Sequence, residues 1–95
     1  MAQPDREELA SPHANASNRQ EQEEERRKLR RLQVMMSMVM SVISQDSDLS
    51  VEEASELAAN AKRAALAMFP DKELAYDILY KPRLQRLMAE RFRLQ

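Results

Sequence analysis

The sequence contains no glycine and no cysteine among its 95 residues. Without glycine it cannot form the loops that cradle phosphates or dinucleotides, because those loops need backbone positions that only glycine tolerates. Without cysteine it has no disulfide framework, no thiolate zinc site and no cysteine nucleophile. A single histidine, His13, excludes a multi-histidine metal site. We therefore expect a protein that is not an enzyme.

Carboxylate metal sites and cofactor sites are also not expected. The acidic residues between positions 46 and 53 lack the glycine and the twelfth-position acid of a calcium loop. No motif in the chain indicates a cofactor. We therefore predict no catalytic, cofactor-binding or metal-binding residues.

Long apolar runs are absent as well. No stretch reaches the roughly 18 apolar residues of a membrane span. Residues 1–6 contain no apolar region of the kind found in secretory signals. We therefore expect an intracellular protein, cytoplasmic or nuclear or both, that is not secreted and does not span a membrane.

The residues that are present favour helix almost everywhere. Alanine, leucine, methionine, glutamate, arginine and glutamine, all good helix formers, are abundant, and only four residues are aromatic. The sequence predicts an all-α fold, a small antiparallel bundle of three to four helices with a long first helix. Residues 1–19 are predicted to be a disordered tail, because they carry too little apolar surface to offset the cost of ordering. Residues 20–95 form the predicted helical domain.

The first helix is predicted over residues 20–45. Its charged half should pair Glu23 with Arg27 and Glu24 with Lys28, four residues apart. Its second half carries apolar residues at spacings of three and four, which is typical of a coiled-coil seam: Leu29, Leu32, Met36, Val39 and Ile43. The polar residues between positions 33 and 44 occupy a narrow sector. We therefore expect this half to be surrounded by apolar neighbours.

A capping box predicts where the second helix begins. Ser50 and Glu53 stand three residues apart before an apolar stripe, and a helix is expected over residues 50–69. Pro70 ends this helix, because the residue before a proline is pushed out of the helical region. The stripe is rich in alanine, which allows a bulky neighbour to approach closely.

Two shorter helices are predicted to follow. Asp71 is expected to cap a helix over residues 72–81, with these residues facing inward: Leu74, Ala75, Ile78 and Leu79. Pro82 suits the first position of a helix over residues 82–94, although one helix kinked at Pro82 fits the same pattern. The inward stripe of the last helix is predicted to be Leu84, Leu87, Met88 and Phe92.

The methionine-rich face of the first helix is the main candidate for binding. Methionine is unbranched and polarizable, so a surface lined with it adapts to different apolar partners. One interpretation is a docking surface for a protein partner or a second copy, and the other is a core helix filled by flexible side chains. The candidate partner-binding residues are Leu29, Leu32, Met35, Met36, Met38, Val39, Met40, Val42 and Ile43.

A basic patch offers the alternative function. Two stretches are rich in cations, residues 26–31 and residues 81–93, although the formal net charge of the whole chain is −1. They predict either phosphate contacts in a nuclear, nucleic-acid-associated protein or charges that pair within the chain. Arg91 lies beside the apolar stripe of the last helix, so it is expected to cover the core or to meet a partner's acid. The candidates are Arg26, Arg27, Lys28, Arg30, Arg31, Arg83, Arg86, Arg91 and Arg93.

The first hypothesis is therefore a non-catalytic protein-interaction module, either an adaptor or a homo-oligomer. It binds through the methionine-rich face of the first helix. The second hypothesis is a nucleic-acid-associated protein that uses the two basic stretches.

Overall fold

The structure, a computed structural model, describes residues 12–93, with side chains described from residue 16 onward. Every element in this part of the chain is helical, which confirms the predicted all-α class. The four helices are α1 (Pro12–Gln45), α2 (Val51–Met68), α3 (Glu73–Leu79) and α4 (Lys81–Phe92). The described residues divide into two units on either side of the Arg31–Leu32 bond, residues 12–31 and residues 32–93.

α1 begins earlier than the sequence predicts. Its first helical residue is Pro12, eight residues before the expected start near residue 20. Proline suits this position, because the N–H that it lacks would have no partner inside the helix. Residues 12–19 of the predicted tail are therefore helical. The rest of that tail, residues 1–11, lies outside the described residues.

The described side chains of the first unit are all exposed, from residue 16 to residue 31. One ion pair lies on this surface, and it joins Arg26 to Glu23 at 3.1 Å. Among the residues described, neither Glu23 with Arg27 nor Glu24 with Lys28 forms the predicted pair. The ion pair joins residues three apart instead of four apart. Both spacings bring side chains close together on a helix surface.

The second unit is built around a core to which all four helices contribute. α1 supplies the two largest side chains that are almost completely buried, Met36 and Ile43, which are 1% and 0% exposed. α2 supplies alanines, so the bulky α1 residues pack against a surface of small ones. Burial of each large side chain contributes roughly 1.5–3 kcal/mol. The buried residues are Leu32, Met36, Val39, Ile43, Ala54, Ala61, Ala65, Tyr76 and Leu84.

The start of α2 confirms the predicted capping box. The Ser50 hydroxyl accepts from the Glu53 amide at 3.0 Å, and the Glu53 carboxylate accepts from the Ser50 amide at 2.9 Å. α2 ends at Met68, and Phe69 before Pro70 has left the helical region with φ −132° and ψ 77°. Both ends of this helix are therefore formed by the residues that signal them in the sequence.

α3 departs from its prediction in two ways. It begins at Glu73 after Lys72, and no side chain caps it, so the expected cap at Asp71 is wrong. Its inward residue is Tyr76, whereas the four residues expected to face inward are all exposed. The apolar side of this helix faces away from the core of its own unit.

α3 and α4 are two helices that meet at one residue, Tyr80. The Tyr80 amide donates to the Tyr76 carbonyl at 2.8 Å, and the Tyr80 carbonyl accepts from the Leu84 amide at 2.9 Å. Helical hydrogen bonding therefore passes through the joint, and Pro82 occupies the first turn of α4. The inward side chains Tyr76, Tyr80 and Leu84 follow one another at intervals of four residues.

Candidate protein-interaction surfaces

The predicted seam of α1 serves the chain's own core. Leu32, Met36, Val39 and Ile43 are between 0% and 8% exposed, so they are not available to a partner. This corrects their place among the candidate partner-binding residues. The physical reason is that α2, α3 and α4 together bury one face of the helix, which is where these residues lie. Leu29, the first residue of the same seam, is 47% exposed in the first unit.

The other side of α1 is left uncovered. Val34, Met38 and Val42 stand four residues apart and are 54%, 63% and 38% exposed. We call these three residues the α1 ridge. Because a helix rises 1.5 Å per residue, the ridge extends over about 12 Å. The expectation that this half of α1 is surrounded on all sides is therefore wrong.

The two methionines beside the ridge are intermediate. Met35 and Met40 are partly buried and pack against the core. Of the nine residues predicted to bind a partner, four are therefore in the core, two flank it, and three remain exposed. The exposed three are Leu29, Met38 and Val42. Val34 belongs to the same surface, although it is absent from the predicted set.

A second exposed apolar surface lies on α3. Leu74, Ile78 and Leu79 are 73%, 63% and 60% exposed. We call these three residues the α3 face. The sequence assigned them to the core, so it did not identify them as a candidate surface. One sequence signal indicates the observed orientation. Steps of four residues back from Leu84, on the inward stripe of α4, lead to Tyr80 and then Tyr76, which predicts that Tyr76 faces inward and the α3 face outward.

Ion pairs and one tyrosine hold α3 in this orientation. The Lys62 ammonium on α2 lies 3.0 Å from a carboxylate oxygen of Glu73 and 3.1 Å from one of Asp77. The hydrogen bonds to Glu73 and then to Asp77 raise the pKa of Lys62 above its ordinary value. These contacts attach the polar side of α3 to α2 and leave the apolar side exposed.

Tyr76 anchors the same helix to α1. Its hydroxyl lies 3.9 Å from the sulfur of Met36 as a weak donor, and its ring lies 5.5 Å from that of Tyr80. Burial raises the pKa of the Tyr76 phenol, because the charged form is poorly solvated there. Tyr76 thus takes the inward position that the sequence assigned to α3's aliphatic residues.

Arg91 belongs to the fold and not to an open basic surface. One guanidinium nitrogen donates to the backbone carbonyl of Asp46 at 2.7 Å, and its carbon lies 4.8 Å from the Phe92 ring centre. Asp46 immediately follows the last residue of α1, where the helix dipole attracts a cation. The Arg91 guanidinium is therefore bound to its own chain, which does not fit the expectation that it pairs with an acid of a partner.

The other predicted cations are exposed. Arg83, Arg86 and Arg93 on or beside α4 are open to solvent, as are the five cations of residues 26–31. The two stretches belong to different units. Arg26 is the member that forms an ion pair with a described residue.

An open groove of about 500 Å³ runs between α2 and α4. Its wall is mostly apolar, with Ala58, Ala59 and Met88 among its lining residues, and Lys62 and Lys81 also line it. Lys62 is already held by Glu73 and Asp77. Of the two lysines that line the groove, Lys62 is thus used by the fold, whereas Lys81 forms no ion pair with a described residue.

Residues 12–93 contain no group of three or more histidine, cysteine, aspartate or glutamate side chains that could hold a metal ion. None of the four described helices combines the length and the apolar character needed to cross a bilayer.

Comparison of this chain with protein-family models, with curated proteins and with solved structures finds no match.

Proposed function

We propose that this chain is a non-catalytic protein-interaction module that binds its partner through the α1 ridge. The observation that carries the proposal is the exposure of Val34, Met38 and Val42 in a folded unit that buries the opposite side of the same helix. Neighbouring exposed apolar residues of this size are typical of surfaces that bind other proteins. The module acts as an adaptor or as a homo-oligomer inside the cell.

The spacing of the ridge suits a helical partner. Residues four apart on one helix form a row that packs into the groove beside a similar row on a second helix. The central residue is a methionine, whose flexible side chain adapts to the shape of the partner. Covering three side chains of this size contributes a few kcal/mol at most, because each is already partly covered and association itself has a cost.

A photo-reactive amino acid at position 38 tests this proposal in cells that produce the protein. We expect a covalent adduct with another polypeptide at position 38, and a much weaker one from the matched control at Ser37. Ser37 is exposed and adjacent in sequence, but it points about 100° away around the helix. Equal labelling from both positions, or labelling from neither, contradicts the proposal.

The second candidate function is association with nucleic acid in the nucleus. It is favoured by the exposure of all five cations in residues 26–31 and of Arg83 and Arg86 on α4. Phosphate contacts release counterions, so binding to duplex DNA or RNA should fall steeply as the salt concentration rises. Arg30→Gln together with Arg31→Gln should reduce that salt slope by about two. Binding that is weak and insensitive to salt contradicts this candidate.

A further inference from the structure

We propose that the partner of the α1 ridge is a second copy of this chain, and that the ridge of each copy packs on the α3 face of the other. This inference rests on the proposed function and names its partner. The first argument is that the two surfaces match in kind. The ridge is a row of three apolar side chains exposed by 38–63%, and the α3 face has Leu74 and Ile78 in a row with Leu79 about 100° further around the helix, exposed by 60–73%.

The charges at the ends of the two surfaces are opposite. The α1 ridge is followed along the chain by Asp46 and Asp48, which are both exposed. The α3 face is followed by Lys81 and Arg83, which are also exposed. A ridge laid along the α3 face of another copy can therefore bring acids next to bases. Such complementarity favours this register over one that juxtaposes like charges.

Two acids near the α3 face share one cation. Glu73 and Asp77 both form ion pairs with Lys62 in the same chain, so this cluster carries a net charge of −1. No acid among the described residues lies within ion-pairing distance of Lys81 or Arg83, which together carry +2. The sum over these five groups is +1, which suits an incoming segment that carries Asp46 and Asp48.

The area of the surfaces favours a closed pair. With roughly 100 Å² exposed on each of the six residues, complete burial of one ridge and one α3 face removes at most about 600 Å² from solvent. That is less than a specific interface usually requires, whereas two such contacts remove at most about 1,200 Å², at the lower end of that range. A two-fold symmetric dimer forms both contacts when the ridge and the α3 face are reached from one side of the folded unit, because in such an interface each contact is made twice.

The experiment measures the mass of the purified full chain by sedimentation over a wide range of concentration. We expect a reversible dimer. Met38→Glu on the ridge and Ile78→Glu on the α3 face should each weaken dimerisation at least about tenfold, because each places an unpaired charge in an apolar contact. Ser37→Glu adds the same charge beside the ridge and should leave the dimer within about twofold of the wild type.

Mixing the two variants provides a sharper test. Met38→Glu retains an intact α3 face and Ile78→Glu retains an intact ridge, so one undamaged contact can form in the mixed pair and none in either variant alone. We expect the mixture to form more dimer than either variant alone at the same total concentration. Asp48→Lys should weaken the dimer, and adding Lys81→Glu to it should recover part of the loss.

The outcomes separate this inference from the proposed function. A chain that remains monomeric at every concentration, a dimer that tolerates both Met38→Glu and Ile78→Glu, or an open-ended assembly overturns the inference. A photo-adduct at position 38 that forms in cells but not with the purified chain also overturns it, and the proposed function then stands with another protein as partner. Circular dichroism confirms that each exposed-site variant is folded.

Discussion

In α1 the seam residues between Leu32 and Ile43, spaced three and four apart, are buried, whereas in α3 the apolar residues Leu74 and Ile78 at a similar spacing are exposed. Met36 and Ile43 on α1 are 1% and 0% exposed, but Leu74 and Ile78 on α3 are 73% and 63% exposed. The difference in length explains much of this. α1 contributes four buried side chains to the second unit, so apolar burial decides its orientation. The seven-residue α3 has fewer apolar residues, and its orientation follows its connections to α2, α1 and α4.

The contacts that orient α3 are polar or aromatic. Lys62 holds the Glu73 and Asp77 carboxylates, and Tyr76 and Tyr80 continue the inward row of α4. Ion pairs as exposed as these contribute little to stability. They can nevertheless select which side of a short helix faces inward. The comparison teaches that an apolar stripe predicts a buried face reliably only where the helix is long enough.

The largest effect should come from the buried side of α1. Ile43→Ala leaves a cavity at a site that is 0% exposed, and we expect a loss of about 2–5 kcal/mol in the free energy of unfolding. Met38→Ala removes a side chain of similar size from the ridge and should cost about 0.5 kcal/mol or less. Urea unfolding of both variants measures the contrast. Similar losses for the two would show that the ridge is packed after all.

A smaller effect should distinguish the start of α2 from the start of α3. Ser50→Ala removes the hydroxyl of the capping box, and we expect a loss of about 1 kcal/mol. Lys72→Ala at the start of α3 removes no cap, because no side chain there bonds to the helix amides, and it should change stability by less than about 0.5 kcal/mol. Thermal unfolding at neutral pH compares them. A larger loss of stability from Lys72→Ala than from Ser50→Ala would contradict this difference between the two helix starts.

High pH should weaken the contacts that orient α3. The folded-state pKa values of Tyr76 and Lys62 are both raised above their ordinary values of 10.0 and 10.5. A group with a raised pKa contributes fully below its unfolded value and loses that contribution as the pH rises through its folded value. We therefore expect stability to decline as the pH rises above about 10. Urea unfolding at a series of alkaline pH values measures this decline.

A double variant tests whether these two groups cause the alkaline decline. Tyr76→Phe combined with Lys62→Met should show a flatter dependence of stability on pH than the wild type. Tyr80→Phe serves as the control, because Tyr80 neighbours Tyr76 without contacting Met36 through its hydroxyl. A decline of unchanged steepness in the double variant would assign the effect to other groups.

The smallest effect should come from the α3 face. Leu74→Gln and Ile78→Gln change exposed side chains, so each should alter the free energy of unfolding by less than about 0.5 kcal/mol in the monomer. Leu84→Gln on α4 is the buried counterpart, at 5% exposed, and should cost several times more. Measurement at low protein concentration keeps dimerisation from contributing. A loss of more than about 2 kcal/mol for Ile78→Gln would mean that the α3 face is part of the core.

Much of the fold could be predicted from local signals. The abundance of good helix formers and the absence of glycine predict helix. The capping box at Ser50 predicts the start of α2, and Pro70 predicts its end. The inward stripes of α2 and α4 follow from apolar periodicity, which also marks the seam of α1 but not what covers it. The start of α1 at Pro12 does not follow from such signals, because residues 12–19 carry little of the apolar surface that favours an ordered segment.

The candidate site was less predictable. Nine residues on α1 were expected to bind a partner, and only after folding is it clear that the seam is occupied by the chain itself and the α1 ridge is free. The α3 face was assigned to the core, and Arg91 to an open basic patch. In each case a contact distant in sequence decided the outcome, such as that of Lys62 with Asp77 or that of Arg91 with Asp46.

The sequence by itself therefore determined that this protein is helical, where α2 begins and ends, and which residue types are excluded from its chemistry. These properties depend on neighbours within about four residues, and local propensity and capping act at that range. Only the tertiary structure decided which apolar residues remain exposed. Exposure depends on which helix covers which face, and for α3 that choice follows from Lys62 on α2 and from the contact of Tyr76 with Met36, 40 residues earlier on α1.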